Sequence, residues 1–125
     1  MLCLEDYLDA LDWAEVIGGL PALIKRSFDN LEFVESFVNS TPWASFLAVE
    51  KTLRSNTSVC LTVDLDPGQL KELIKLMAAE EVAYDIASYR DAPGGLRFWC
   101  GATVQKEDLA LALDWLSWAY GQVSE

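Results

Sequence analysis

Two arginines bracket a glycine turn in the stretch Tyr89-Arg90-Asp91-Ala92-Pro93-Gly94-Gly95-Leu96-Arg97-Phe98-Trp99-Cys100. The rest of the chain is acidic, with 9 lysines and arginines against 20 aspartates and glutamates, a net charge of −11. Against that background a local pair of cations suggests capture of an anion. Strand alternation puts Leu96, Phe98 and Cys100 on one face and Arg97 and Trp99 on the other. If helices cover the first face, Arg97 projects from the second, where its guanidinium presents a planar fork suited to a carboxylate. Arg90, across the turn, could reach the same space, and Trp99 would flank Arg97. A surface arginine paired with Asp85 or Asp91 fits the same spacing, and exposed pairs of that kind are common and weak. Composition and spacing leave both readings open.

Other chemistries are less well supplied. Histidine is absent, which removes Ser-His-Asp and Cys-His catalysis and histidine metal sites. Cys3, Cys60 and Cys100 are odd in number, widely spaced and without a C-x-x-C pair, so they read as buried free thiols rather than a disulfide framework or a zinc site. The run from Asp64 to Gly68 starts like a calcium loop, but its sixth and twelfth positions hold Gln69 and Lys75 instead of Gly and Glu. The glycine pairs at 18 and 94 match neither phosphate-loop pattern. The acids of the first segment read as a solvated helix face. The negative balance disfavours nucleic acid and anionic membranes. No apolar run approaches the roughly 18 residues of a membrane span. With no basic signal-peptide start, the cytoplasm is the expected compartment.

The elements that would position the arginines follow from periodicity. Leu4 to Ile17 reads as a helix whose apolar side is wide enough to be covered on more than one side. Gly18 suits a left-handed cap and Pro21 the first turn of the next helix, about Leu20 to Val38. Residues 44–47 suggest a short strand. From Thr57 the period changes to two, with Val59, Leu61 and Val63 alternating with Cys60 and Thr62. Asp66, Pro67 and Gln69 then form a helix start with a reciprocal capping box, followed by an apolar face of Leu70, Leu73, Ile74 and Met77. Val82 to Ala87 and Leu96 to Cys100 read as strands. Thr103 is the expected cap of a last helix, about Gln105 to Tyr120, burying Leu109, Ala112, Leu113 and Leu116. The predicted fold is α+β: a small, mostly antiparallel sheet with helices on one face, preceded by two helices. It forms one domain over 1–125, with leading helices at 1–38 and a strand-helix-strand-strand-helix core at 57–120.

The stretch from Ala83 to Val104, followed by Glu107 to Tyr120, resembles the C-terminal end of phosphoserine aminotransferases, in the branch typical of alphaproteobacteria. Glu5 to Ile24 and Thr52 to Val63 resemble the same branch in the expected order, so the likeness covers nearly the whole chain. The wider family is that of fold type I, class V, pyridoxal phosphate-dependent aminotransferases. The resemblance implies exchange of 3-phosphohydroxypyruvate and glutamate with phosphoserine and 2-oxoglutarate, in serine biosynthesis. It gives Arg97 the substrate α-carboxylate and Arg90 the distal phosphate or carboxylate. Two departures bear on Arg90: the family's histidine is Tyr89 here, and the turn is one residue longer.

The resemblance also implies truncation. The family's Schiff-base lysine and most cofactor contacts lie in a large domain upstream of the matched segment. None of Lys25, Lys51, Lys71, Lys75 and Lys106 matches the cofactor-lysine motif. The expectation is that this chain alone has no catalytic residue, binds no pyridoxal phosphate productively and does not transaminate. Its expected partners are the large domain, the homodimer mate and phosphoserine- or glutamate-type substrates. The first helix, Trp115 and Trp118 would then offer apolar surface for those partners or for self-association. A free-standing binding module for an amino acid or phospho-acid, or an interaction domain with no ligand, are the alternatives.

Overall fold

In the computed structural model, which describes residues 1–124, the chain runs α1 (Leu2–Val16), α2 (Gly19–Asn39), β1 (Ala44–Phe46), a 3-10 turn (Lys51–Leu53), β2 (Ser58–Val63), α3 (Pro67–Ala79), β3 (Leu96–Trp99) and α4 (Lys106–Val123). Local chemistry explains two of the boundaries well. Gly18 has φ 116, a left-handed backbone that lets the chain reverse between α1 and α2. At α3, Asp66 Oδ1 accepts from the backbone N–H of Gly68 at 2.7 Å and of Gln69 at 2.9 Å. Gln69 Oε1 accepts in return from the Asp66 N–H at 3.1 Å, which completes the capping box. The Asp66 carboxylate is therefore committed to a helix terminus rather than to a cation.

The three strands form one antiparallel sheet in the order β1-β2-β3. Alternation decides its two faces. Val59, Leu61, Leu96 and Phe98 point into the core, where they meet Val34 of α2, Leu73 and Met77 of α3, and Leu113 and Leu116 of α4. Ser58, Cys60, Arg97 and Trp99 point the other way, onto a face that no helix covers among the described residues. Trp43, just before β1, stacks on Tyr120 of α4 with ring centroids 4.0 Å apart, closing the sheet edge against the last helix. The α+β architecture, with helices on one face, is the one expected from the sequence.

Several local expectations are corrected. Residues 82–87 form no strand. Glu81 and Asp85 both adopt left-handed backbone, with φ 57 and 53, which interrupts extension. What remains is one bridge from Ala87 to Leu96, with the Arg97 N–H donating to the Ile86 carbonyl at 2.8 Å. Thr103 is not the cap of α4. Gln105 takes that position without a side-chain cap bond, and the acids Glu107 and Asp108 in the first turn complement the helix dipole instead. Ala112 is half-buried and Ala119 takes the fully buried position. α1 packs against α2 and has no buried residue, so much of its wide apolar side is left open; Leu2, Tyr7 and Val16 are largely exposed.

The thiols also differ from one another. Cys3 is exposed, Cys60 half-buried and only Cys100 buried. Burial pushes the Cys100 thiol up to about 12 from an ordinary 9.0. Deprotonation therefore favours the unfolded chain: this thiol's contribution is complete below pH 9.0 and is lost as pH rises toward about 12. A thiol reagent at pH 8 is expected to modify Cys3 in the native chain and to reach Cys100 only on unfolding. Equal labelling rates at the two positions, followed by mass spectrometry, would contradict this.

Candidate functional site

On the uncovered face, β2 and β3 pair so that Cys60 stands opposite Arg97 and Ser58 opposite Trp99. The non-helical segment 82–89 returns over the same face. Together they bound a cavity of about 370 Å³ lined by Ser58, Tyr84, Asp85, Ile86, Tyr89, Arg97, Phe98 and Trp99. Arg97 is its only cation. The side chain is 24% exposed, so most of it is covered while part of the guanidinium faces the cavity.

Two neighbours hold that guanidinium. Arg97 Nη2 donates to Asp85 Oδ2 at 3.0 Å and to the Asp85 carbonyl oxygen at 3.2 Å. Its carbon lies over the Tyr89 ring, 4.5 Å from the centroid, a favourable arrangement for cation and π-face. The Tyr89 hydroxyl is in turn hydrogen-bonded to the Ser58 hydroxyl at 2.9 Å. Contact with Tyr89 first, and the Asp85 charge after it, raise Arg97 above its ordinary value, so it is a permanent cation. The Ser58 hydroxyl, then Arg97, lower the Tyr89 phenol below its ordinary value.

Of the two arginines singled out in the sequence, only Arg97 reaches the cavity. Arg90 is exposed and is not among the lining residues. The pairing of Arg97 with Asp85, and not with Asp91, is one of the two geometries that spacing left open; it coexists with the cavity rather than replacing it. Ser58, Tyr89 and Asp85 were not assigned roles from the sequence, apart from Asp85 as a possible ion-pair partner. The strand-to-strand register brings Ser58 beside a residue 31 positions away, and only the alternation of β2 hints at its outward orientation.

Around the site runs a frame of polar contacts, some buried and most part-buried, that the sequence did not disclose. Asn30 of α2 is 2% exposed, and its Nδ2 donates to the carbonyls of Cys100 and Val104, each at 3.1 Å. Arg26 Nε donates to the Ala102 carbonyl at 2.7 Å. These bonds tie the segment after β3 to α2. Arg54, 19% exposed, pairs with Glu35 at 3.2 Å and donates to the Ala48 and Val49 carbonyls, pinning the segment between β1 and β2. Lys51 first, then Arg54, hold the Glu35 carboxyl below its ordinary range.

An amine for Schiff-base chemistry is not part of the cavity. Lys25, Lys51 and Lys75 are engaged by Asp29, Glu35 and Glu72, Lys106 lies over the Phe33 ring, and Lys71 is an exposed residue of α3. None of them lines the cavity. The cavity lining thus supplies one guanidinium and no amine that could hold a pyridoxal cofactor covalently.

The fold matches a region of solved phosphoserine aminotransferases. A phosphoserine aminotransferase from Bacillus circulans subsp. alkalophilus superposes with a TM-score of 0.77 over 89% of this chain and 30% of its own, at 17% identity. A second phosphoserine aminotransferase structure, one describing radiation damage of its Schiff base, gives 0.74 over the same shares at 18% identity. In sequence, the chain is 58% identical over 123 residues to the phosphoserine aminotransferase of Methanosarcina barkeri and 56% identical to that of Methanosarcina mazei. Both matches cover 98% of this chain and 33% of the relative. The chain thus corresponds to a partial region, about a third, of phosphoserine aminotransferases. No protein-family model matches it. Among the described residues, no helix is long and apolar enough to cross a membrane.

Proposed function

We propose that this chain is the C-terminal, substrate-anion-binding part of a phosphoserine aminotransferase, a cytoplasmic enzyme of serine biosynthesis. In that reading Arg97 binds the substrate α-carboxylate. The observation that carries it is the placement of a mostly covered, permanent cation in the wall of an open cavity. A carboxylate there can accept two parallel N–H bonds from one guanidinium, which fixes its orientation as well as its charge. Tyr89 stacks under the guanidinium and keeps it facing the cavity. Arg90, exposed just before the turn and outside the cavity lining, is assigned the distal phosphate on the resemblance alone.

Amino-group transfer needs a cofactor as electron sink, pyridoxal phosphate in the full enzyme, and a lysine to hold it. No step of that chemistry is assigned to these residues, whose part is binding and orientation. The remaining two-thirds of the relatives' length is the expected partner, together with a homodimer mate. The open apolar side of α1 and the edge-to-face pair Trp115 and Trp118 supply the surface to meet it, and in its absence favour self-association.

The test is a chimaera in which this chain replaces the matching third of the Methanosarcina barkeri relative. It is expected to convert phosphoserine and 2-oxoglutarate. A folded, cofactor-loaded chimaera with no activity contradicts the proposal.

A further inference from the structure

Asp85 holds the one charged contact that Arg97 makes among the described residues. We propose that Asp85 is an internal stand-in for the ligand carboxylate: it occupies Arg97 in the empty site, is displaced when ligand binds, and so sets the affinity. The inference rests on the carboxylate reading of Arg97.

Three features separate this pair from a structural one. First, the Asp85 side chain is 89% exposed, and its carboxylate contacts Arg97 through one oxygen only. The Glu35 carboxylate, by contrast, is 12% exposed and is gripped by both Lys51 and Arg54. Second, both Asp85 contacts fall on the single nitrogen Nη2, which leaves the rest of the fork to the cavity. A ligand carboxylate that takes two parallel bonds is the stronger partner. Third, Asp85 sits in left-handed backbone at φ 53, a conformation that L-residues other than Asn and Asp seldom adopt. The chain adopts that conformation at the residue whose carboxylate and carbonyl both contact Arg97.

Release of Asp85 leaves the guanidinium positioned. Tyr89 still lies beneath it, anchored by the Ser58 hydroxyl, and the Asp85 carbonyl still accepts from Nη2. Displacement therefore costs only the exposed ion pair. Such pairs are weak, so freeing Arg97 is expected to tighten carboxylate binding by about three- to fivefold.

The experiment is calorimetric titration of the 125-residue chain with O-phospho-L-serine, and separately with L-glutamate. It compares the parent, Asp85→Asn, Asp85→Gly and Arg97→Gln. Asn and Gly both tolerate left-handed backbone, and the position is exposed, so neither change threatens the fold. The expected result is tighter binding of both ligands by both Asp85 variants and no binding by Arg97→Gln. If the parent binds through Arg97 but the Asp85 variants bind equally or more weakly, the stand-in role is overturned while the carboxylate site stands. If neither the parent nor the Asp85 variants bind, the carboxylate reading falls and the stand-in falls with it.

Discussion

Arg97→Ala, placed in the Methanosarcina barkeri chimaera, is expected to lower kcat/KM for phosphoserine by about 100-fold or more. A hydrogen bond to a charged group is worth about 1.5–3 kcal/mol, and a carboxylate on this guanidinium makes two. Losing about 3 kcal/mol of transition-state stabilisation corresponds to roughly two powers of ten. Arg97→Lys keeps the charge but not the planar fork, so a loss of about tenfold is expected, between parent and alanine. The effect is separable from misfolding. Arg97 stands on the open face of the sheet, and among the described residues its one ion-pair partner is an aspartate at 89% exposure. The unfolding free energies of both variants should therefore differ from the parent's by less than about 1 kcal/mol. Activity of the alanine variant within threefold of the parent would remove Arg97 from the binding site.

Gly95→Ala is expected to destabilise the chain by about 3 kcal/mol and to disturb the site along with the fold. The glycine is buried, and a Cβ there would come within 2.3 Å of the Leu61 carbonyl oxygen and 3.3 Å of its carbon. The obstacle is backbone of the central strand, which cannot yield without disturbing its ladders to β1 and β3. Overpacking against yielding side chains costs about 1–3 kcal/mol, and this case belongs at the upper end. Gly95 directly precedes β3, so any retreat of the turn also shifts Arg97 relative to Ser58 and Tyr89. Gly94→Ala is the matched control: its Cβ would meet only Leu70 Cδ2 at 3.7 Å, an ordinary contact. It should stay within about 0.5 kcal/mol of the parent. Urea unfolding of the two variants decides the point, and equal destabilisation by both would contradict the close-approach argument.

Where a local signal exists, the sequence discloses the structure. The capping box at Asp66, the left-handed Gly18 and the alternation in β2 and β3 depend on neighbours a few residues apart. All three appear as expected, as does the short β1. Residues 82–87 show the limit of such signals. Their composition favours a strand, but left-handed Glu81 and Asp85 turn the segment over the open face of the sheet. The frame around the site is legible only in three dimensions, because Asn30 reaches carbonyls 70 and 74 residues away. An asparagine in a polar helical position reads as solvated until its partners are known. Alternation set Arg97 opposite Leu96 and Phe98, and which of the two faces the helices cover became visible only in the fold. The companions of Arg97, Tyr89 and Ser58, were not legible, since strand register brings them together.

The central claim is that the Arg97 guanidinium takes the ligand's carboxylate. The most direct measurement is the side-chain Nε–H NMR resonance of Arg97, assigned by its loss in Arg97→Gln, during titration of the chain with O-phospho-L-serine. The account predicts a saturable shift of that resonance, together with a change at Asp85 as its contact is released. Saturable binding sensed elsewhere in the chain, with the Arg97 resonance unmoved, would contradict it.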